Sequence, residues 1–332
     1  MKGIRPYLVI TCSIALAGCE GTQSALDPHG PAAARIAILT WFLLGLATAV
    51  LGLVIAATWL AIGGPDSVRG WLGRQRTVVA GGIVFPTVVL SGLLIYGLWL
   101  MRADASTSTP DLRIAVTGEQ WWWRVTYHLG DGRAIESANE IRMPVGRTVA
   151  LTLTSPDVIH SLWIPSLAGK VDLIPGRSTT LRLKADRAGI YRGACAEYCG
   201  GPHALMALHA VAMPAQDFAS WFSAHGATLP ALDDAQTRGG QLFLSAGCGG
   251  CHAIDGTEAR GIIGPNLTDL GSRQTIGAGL LPVSRENVAR FVARGQHLKP
   301  GNRMPQFDIF SDEQLSDLAS YLLAPKQSEP HD

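Results

Sequence analysis

Two cysteines in the segment GACAEYCGGPHALM, residues 193–206, are followed closely by other side chains that bind metals. Cys195 and Cys199 supply two thiolates, His203 an imidazole and Met206 a thioether. Soft sulfur ligands together with imidazole suit copper. A mononuclear blue-copper site uses one cysteine, two histidines and a weak axial ligand, so the second thiolate indicates two bridged coppers. The second histidine has to come from elsewhere, and His160, in DVIHSLWIPSLAGKVDLIPGR just after a predicted strand, is the candidate.

A second pair of cysteines lies in CGGCH, residues 248–252, which has the spacing of covalent haem attachment. Cys248 and Cys251 would form thioethers with the haem, and His252 would ligate the iron. Met304 is the only methionine in residues 236–325, and a methionine in the opposite axial position gives iron a high potential suited to electron transfer. His297 is the alternative ligand. A zinc site is the competing interpretation of the motif, but no second ligand pair lies nearby in the sequence.

The N-terminus predicts export from the cytoplasm. Two basic residues precede a short apolar run over residues 7–17, and small residues lead into Cys19. This pattern is typical of a secretory signal, and it resembles the lipobox of bacterial lipoproteins, in which lipid is attached to the cysteine after cleavage. An ordinary export signal with an incidental Cys19 is the alternative. Disulfides are the alternative for the two cysteine pairs, but neither close pair would connect distant parts of a fold.

Two long apolar segments predict membrane-spanning helices. No charged residue occurs in residues 36–65 or 77–101, and each segment exceeds the roughly 20 residues that a spanning helix needs. Pro86 predicts a kink in the second span. A pair of buried core helices is the alternative, but it fits poorly with segments that are apolar on all sides. The loop between them carries three arginines against one acid, which predicts a cytoplasmic loop and an outward-facing chain after Arg102.

The outward-facing part of the chain divides into a β-rich and a helical region. RTVALTLTS, residues 147–155, alternates apolar residues with threonine, and several similar runs predict a small β-sandwich or Greek-key barrel. Later segments have helical periodicity, with Ser284 as one predicted cap and Ser311 with Gln314 as a capping box. The predicted boundaries are 1–18 for the signal peptide, 19–35 for an extracytoplasmic segment, 36–102 for the transmembrane hairpin, 110–222 for the β domain, 223–235 for a linker and 236–325 for the helical domain.

Composition agrees with this multidomain membrane architecture. The 332-residue chain is 47% hydrophobic and only 16% charged, which is more apolar than a typical soluble protein. The net charge of +1 gives no indication of nucleic-acid binding.

Residues 236–325 resemble a class I cytochrome c domain throughout, on CGGCH, GPNL at 264 and NRMPQF at 302. The resemblance implies an all-α fold with covalent haem c. Cys248 and Cys251 would be the attachment sites and His252 and Met304 the axial ligands, with Pro265 helping to position the histidine.

The segments around His160 and the first cysteine pair closely resemble subunit II of the haem–copper oxidases. The family patterns HSxxxPxxxxKxDxIPGR and CxExCGxxHxxM match at every position, and the resemblance extends over residues 36–222, including the hairpin. It implies a cupredoxin fold that carries the dinuclear CuA centre. The implied ligands are His160, Cys195, Cys199, His203, Met206 and the backbone carbonyl of Glu197. The Glu197 side chain would approach a magnesium ion at the boundary with subunit I.

Three adjacent tryptophans occur in GEQWWWRVTYH, residues 118–128. On a strand they would normally be packing residues, with the middle one pointing outward. In the oxidase family this segment is QWYW, and its first tryptophan lies at the surface where electrons enter from cytochrome c. The resemblance assigns that role to Trp121.

The resemblance implies the electron-transfer subunit of a terminal cytochrome c oxidase in the bacterial cytoplasmic membrane, with both soluble domains on the periplasmic side. A soluble donor such as cytochrome c would reduce haem c, haem c would reduce CuA, and CuA would pass electrons to subunit I, which holds the oxygen site. Subunit III is a further expected partner, and nucleic acid is not expected.

Other functions would use some of the same residues. The CuA subunit of a nitric oxide reductase of the same superfamily would present the same electron-transfer residues. A membrane-anchored copper-delivery protein would explain the cysteines but not the haem motif or the tryptophans, and quinol oxidases lose the CuA ligands that are intact here. One position departs from the family: many members carry a glutamate at a proton-pathway mouth where this chain has Val79, so proton uptake through this subunit is not expected.

Overall fold

The computed structural model describes residues 21–105, 110–128, 134–223 and 232–324. The chain forms two units, one made of Arg35–Thr109 and the other of Met1–Ala34 together with Pro110–Asp332. The expected signal peptide and Cys19 lie outside the described residues.

The first of these units contains the predicted membrane hairpin. Its helices are α1 Pro31–Gly63, α2 Asp66–Leu72, α3 Gln75–Val79 and α4 Phe85–Ala105, with a π-helical turn at Ala80–Val84 between the last two. Among the residues that the structure describes, two helices are long and apolar enough to span a membrane, Pro31–Gly63 and Gln75–Met101, with mean hydropathies of 2.4 and 2.3. The irregular turn ends two residues before Pro86, which has no amide hydrogen to continue an α-helical ladder. The two predicted apolar helices are therefore confirmed.

The β domain is defined as residues 110–223, and its described residues form ten strands, one α-helix and a 3₁₀ turn at His203–Leu205. The strands are β1 Leu112–Glu119, β2 Trp122–His128, β3 Ala134–Ala138, β4 Glu140–Pro144, β5 Val149–Thr154, β6 His160–Trp163, β7 Val171–Leu173, β8 Thr179–Leu183, β9 Gly189–Cys195 and β10 Ala207–Met213. One five-stranded sheet has the order β3-β2-β1-β5-β8 and the other the order β4-β10-β9-β6-β7. Helix α5, Ala215–Ser223, follows the last strand.

Alternating side chains explain why these segments form two packed sheets. Val149, Leu151 and Leu153 are fully buried, whereas Thr152 and Thr154 between and beyond them are only partly buried. Strand β5 pairs in parallel with β1 and antiparallel with β8, so its apolar face joins a continuous core with residues of the second sheet. The predicted β architecture is confirmed.

The N-terminal segment lies against the β domain. The His29 amide donates to Ser166 O at 2.7 Å, and the Asp186 amide donates to His29 O at 2.8 Å. A side chain at Gly30 would place its Cβ 2.3 Å from Lys184 O, so the segment packs too closely for any other residue there. Residues 21–34 therefore pack on the surface of the β domain.

Residues 232–324 form the helical domain. Its helices are α6 Asp234–Ser245, α7 Arg285–Leu298 and α8 Asp312–Leu322, with 3₁₀ turns at Cys248–Gly250 and Leu270–Ser272 and a small ladder of β11 Thr275–Ile276 and β12 Leu281–Pro282. The ladder is an addition to the expected all-α fold, and it closes a tight turn in which Ala278 has a φ of 66°. The predicted caps are confirmed: Ser284 accepts from the Asn287 amide, and Ser311 and Gln314 form a capping box.

Helices α6 and α8 approach each other closely at Gly239. A Cβ at Gly239 would lie 2.1 Å from Asp317 O, which is backbone and cannot move aside locally. At Gly240 the nearest atom is the Tyr321 ring at 3.0 Å. The close crossing of these two helices therefore requires glycine at position 239.

We predict that Gly239→Ala destabilises the helical domain by about 1–3 kcal/mol, because the added methyl group forces the helices apart. Gly240→Ala is the matched control, since it makes the same change in helix propensity and meets a ring that can turn. Calorimetric unfolding of the full chain measures both. Equal stability of the two variants would contradict the close approach.

Candidate metal centre and haem site

Three neighbouring strands of the second sheet bring the predicted copper ligands together. His160 begins β6, Cys195 ends β9, and Met206 lies immediately before β10. Strands β10, β9 and β6 are adjacent in that order. Cys199 and His203 lie in the loop between β9 and β10, so both cysteines reach the same end of the sheet as His160.

The potential donor atoms form one cluster. The Cys195 and Cys199 sulfurs are 3.8 Å apart, and His160 Nδ1 is 3.9 Å from Cys195 Sγ. Cys199 Sγ lies 3.4 Å from His203 Nδ1 and 3.9 Å from Met206 Sδ. Among the described residues, His160 and the two cysteines form a buried group with the spacing of a metal site.

The carbonyl of Glu197 completes this cluster, whereas its carboxylate points away. Glu197 O lies 3.2 Å from Cys195 Sγ. The Glu197 side chain is 45% exposed and lies 3.8 Å from Lys170 Nζ. The six residues predicted as copper ligands therefore converge, and the carboxylate lies at the surface.

The two thiols of the cluster differ in acidity. Burial disfavours the Cys195 thiolate, but hydrogen bonds from His160 and from backbone amides outweigh it, and the pKa of Cys195 is lowered. Burial and the neighbouring Cys195 charge raise the pKa of Cys199. Cys195 therefore ionises more readily than Cys199, and metal binding has to displace the proton of Cys199. Two buried sulfurs with imidazole and thioether neighbours fit bound copper.

Asp157 sets the orientation of the His160 ring. Its Oδ1 lies 2.9 Å from His160 Nε2, and a carboxylate can only accept there, so the Nδ1 lone pair is directed toward Cys195. Burial alone would raise the pKa of Asp157, but hydrogen bonds from the Gln120 amide and from His160 lower it. The carboxylate therefore stays ionised and holds the imidazole in place.

Two side chains from the connection between β1 and β2 fix the ligand loop at Cys199. The carbonyl of Cys199 accepts from Gln120 Nε2 at 2.8 Å and from Trp121 Nε1 at 3.0 Å. A Cβ at Gly201 would lie 3.3 Å from the Trp121 ring, so the loop packs closely on that ring. Trp121 is half-buried, while Trp123 is fully buried in the core.

The haem motif lies on a 3₁₀ turn after α6. Cys248 is half-buried, Cys251 is exposed, and His252 Nδ1 lies 2.8 Å from Pro265 O. Because a carbonyl only accepts, Nδ1 carries the proton and Nε2 is left to bind a metal. Burial lowers the pKa of His252, which keeps the ring neutral. A Cβ at Gly264 would lie 2.5 Å from the ring, so Gly264 and Pro265 together fix the histidine.

Met304 and His297 occupy different surroundings in the same domain. Met304 packs against the apolar core of the helical domain, and its amide donates to Asn302 Oδ1 at 2.9 Å. His297 is exposed and lies 3.2 Å from Gln306 Oε1. Met304 therefore lies against the core of the domain and His297 at its surface. The two motif cysteines and a neutral His252 whose Nε2 is available for a metal fit a bound haem.

Four residues at this site are absent from the predicted set. Gln120 and Asp157 contact the predicted ligands as described, and Lys299 and Arg303 of the helical domain contact the Gln120–Trp121 segment. Gln120 directly precedes the three tryptophans, and Asp157 lies three residues before His160. Their closeness to these motifs in the sequence could have indicated a role at the site. Lys299 and Arg303 have no comparable sequence signal.

Comparison with known proteins gives two family matches along the chain. Residues 125–213 match the periplasmic domain of cytochrome c oxidase subunit II, and residues 236–325 match cytochrome c. Cytochrome c oxidase subunit 2 of Alkalihalophilus pseudofirmus is 31% identical over 329 residues, which are 95% of this chain and 94% of that relative. This chain belongs to the cytochrome c oxidase subunit 2 family.

Further members and a solved structure are similar over shorter stretches. Cytochrome c oxidase subunit 2 of Bacillus subtilis is 28% identical over 274 residues, 78% of this chain and 76% of that relative. The crystal structure of the periplasmic domain of subunit II from Bradyrhizobium japonicum is 32% identical, with a TM-score of 0.33 over 34% of this chain and 92% of that one. The resemblance to subunit II with a fused cytochrome c domain is confirmed.

We predict that Asp157→Ala weakens copper binding by about 10–100-fold, because the His160 ring loses the group that orients it. Competition with a chelator of known copper affinity measures the change. Asp186→Ala, which removes an exposed carboxylate of the same domain, is the control and should bind copper as the wild type does. Equal affinity in both variants would show that Asp157 has no orienting role.

We predict that Met304→Ala abolishes the near-red absorption band of methionine bonded to ferric haem, while covalent haem is retained. His297→Ala should leave the band in place, since this histidine lies at the surface. Absorption spectra of the oxidised chains measure both. Persistence of the band in Met304→Ala, or its loss in His297→Ala, would overturn the ligand assignment.

Proposed function

We propose that this chain carries electrons from a soluble donor, through covalent haem c on the helical domain and dinuclear copper on the β domain, to the oxygen-reducing subunit I of a terminal oxidase. The observation that carries the proposal is the convergence of two buried thiols, two imidazoles and a thioether at one end of the second sheet. Membership of the cytochrome c oxidase subunit 2 family supports it.

The β domain would hold the copper with His160, Cys195, Cys199, His203, Met206 and the Glu197 carbonyl. When bound, the metal pair accepts and releases single electrons. The neighbouring sulfurs lie close together, at 3.8 Å. Asp157 holds one imidazole, and Gln120 and Trp121 hold the loop. Little movement of the protein then accompanies a change of charge.

The helical domain would hold haem c through Cys248 and Cys251, with His252 and Met304 as axial ligands. Hydrogen bonds keep both ligands oriented. The Pro265 carbonyl accepts one from His252 Nδ1, and Asn302 Oδ1 accepts one from the Met304 amide. Trp121 would be the point at which electrons enter the β domain. Its indole hydrogen bond to Cys199 supports this role.

The chain would be anchored in the bacterial inner membrane, with its β and helical domains on the periplasmic side. The proposed domain boundaries are those predicted from the sequence. Residues 1–18 would be removed as a signal peptide, and Cys19 would then be lipidated. Subunits I and III and a soluble cytochrome c are the proposed partners. The exposed Glu197 carboxylate is the proposed contact with magnesium at the subunit I boundary.

We predict that Cys195→Ser in the assembled oxidase leaves haem c reducible by soluble cytochrome c but brings oxygen consumption close to zero. The serine cannot supply a bridging thiolate, so electrons stop at the helical domain. Ala196→Ser, which adds a hydroxyl at the next residue, is the control. Haem spectra and an oxygen electrode measure the two steps. Undiminished oxygen consumption in Cys195→Ser would refute the proposed order.

A further inference from the structure

The His160 ring packs against a glycine of the opposite sheet. Gly118 lies on β1 of the first sheet, whereas His160 begins β6 of the second. A Cβ built on Gly118 would lie 3.0 Å from both Cδ2 and Cγ of His160 and 3.1 Å from its Cβ. The histidine therefore occupies the space that a side chain at position 118 would need.

Position 118 faces the core of the β domain. Along β1, Ile114 and Val116 are fully buried, and Gly118 continues this alternation two residues further on. An apolar side chain is expected at a core-facing strand position. Glycine weakens a strand, because it has no side chain to pack and loses much conformational freedom on folding. The glycine at this position therefore needs a specific reason.

Backbone conformation does not supply that reason. Gly118 pairs with Trp123 in the regular antiparallel ladder of β1 and β2, and it is not one of the glycines with a positive φ. Alanine could adopt the same extended backbone without strain. A glycine inside a strand also marks places where another group approaches closely. Here that group is the imidazole of a candidate copper ligand.

Other groups enclose the remaining sides of the His160 ring. The residue is fully buried. Its Nε2 lies 2.9 Å from Asp157 Oδ1, and its Nδ1 lies 3.9 Å from Cys195 Sγ. The Trp123 ring packs against it edge-on, with 6.1 Å between the ring centroids. A push from the Gly118 side would therefore change the distance or the angle at which Nδ1 faces the sulfur.

We propose that Gly118 is a positioning residue of the copper centre, because its missing side chain gives the His160 imidazole the space from which it reaches the metal. The inference rests on the proposed function for the identity of that metal. Neighbouring carbon atoms prefer separations of about 3.5–4.0 Å, so a methyl group at position 118 would displace the ring by about 0.5 Å. Ligands of a functional site have to be held within about 0.5 Å of their working geometry.

Copper binding by the full-length chain tests this positioning. In Gly118→Ala we expect copper affinity to fall about tenfold, as it does when groups that orient a ligand are disturbed. Competition with a chelator of known copper affinity measures the change. The hyperfine pattern in the electron paramagnetic resonance spectrum of the copper-loaded chain should also change, since one copper has lost its ligand geometry. Wild-type affinity together with a wild-type hyperfine pattern would overturn the proposal.

Gly189→Ala is the matched control. Gly189 also lies on a strand of the β domain and has no positive φ. A Cβ at Gly189 would meet its nearest atom, the Tyr191 hydroxyl oxygen, at the ordinary contact distance of 3.5 Å. This variant makes the same change in strand propensity and should keep the affinity and the spectrum of the wild type. An equal loss of affinity in both variants would show that the strand, and not the ring, is affected.

A double-variant cycle tests the contact in the copper-free chain. If the added methyl group clashes with the His160 ring, removing the ring should remove the clash. In the wild-type background Gly118→Ala should lower the unfolding midpoint of the β domain by roughly 5 °C or more. In His160→Ala the methyl group fills emptied space, so the midpoint should stay unchanged or rise. Calorimetry measures all four chains, and an equal decrease in both backgrounds would overturn the contact.

The cycle also decides the cases in which folding or metal binding fails. If Gly118→Ala does not fold, the proposal requires that the double variant with His160→Ala does fold. Failure of the double variant where His160→Ala alone folds would overturn it. If the wild-type chain binds no copper, the proposed function fails, whereas the cycle still decides whether Gly118 and His160 are in contact.

Discussion

The carbonyl oxygen of Cys199 is the acceptor on which the arrangement of the whole site depends. It receives hydrogen bonds from Gln120 and Trp121, which lie between two strands of the first sheet, whereas Cys199 follows a strand of the second. The bonds therefore tie the ligand loop to both sheets. Gln120 also donates its amide to Asp157, the partner of His160. One segment thus sets the position of a sulfur ligand and, through a carboxylate, of an imidazole.

The same constraint explains why the cluster can exist in a buried position. Two thiolates removed from water repel each other and are poorly solvated, so a site that brings their sulfurs to 3.8 Å is favourable only with compensating positive charge. The raised pKa of Cys199 expresses that requirement. Rigid partners around the ligands prevent the sulfurs from separating. The fold therefore places the ligands in an arrangement suited to metal.

The interface between the β and helical domains extends this network. Lys299 and Arg303 contact the very segment that holds Cys199, so the loop carrying Met304 lies against the edge of the copper cluster. Fusion alone would give the two domains a high local concentration. Specific contacts such as the Ala207 amide with Ala278 O give them a defined orientation as well.

The sequence by itself determined the elements and the ligand types. Uninterrupted apolar runs predicted two long helices, alternation in RTVALTLTS predicted a half-buried strand, and Ser311 with Gln314 predicted a helix start, because each signal depends on neighbours within one or two turns. CxExCGxxHxxM and CGGCH gave the candidate ligands by spacing. Only the tertiary structure decided what lies around them. Gln120 is brought to Cys199 by the packing of the two sheets, and Lys299 is brought to Trp121 by the packing of the two domains. No local periodicity encodes contacts between residues 79 or 178 positions apart.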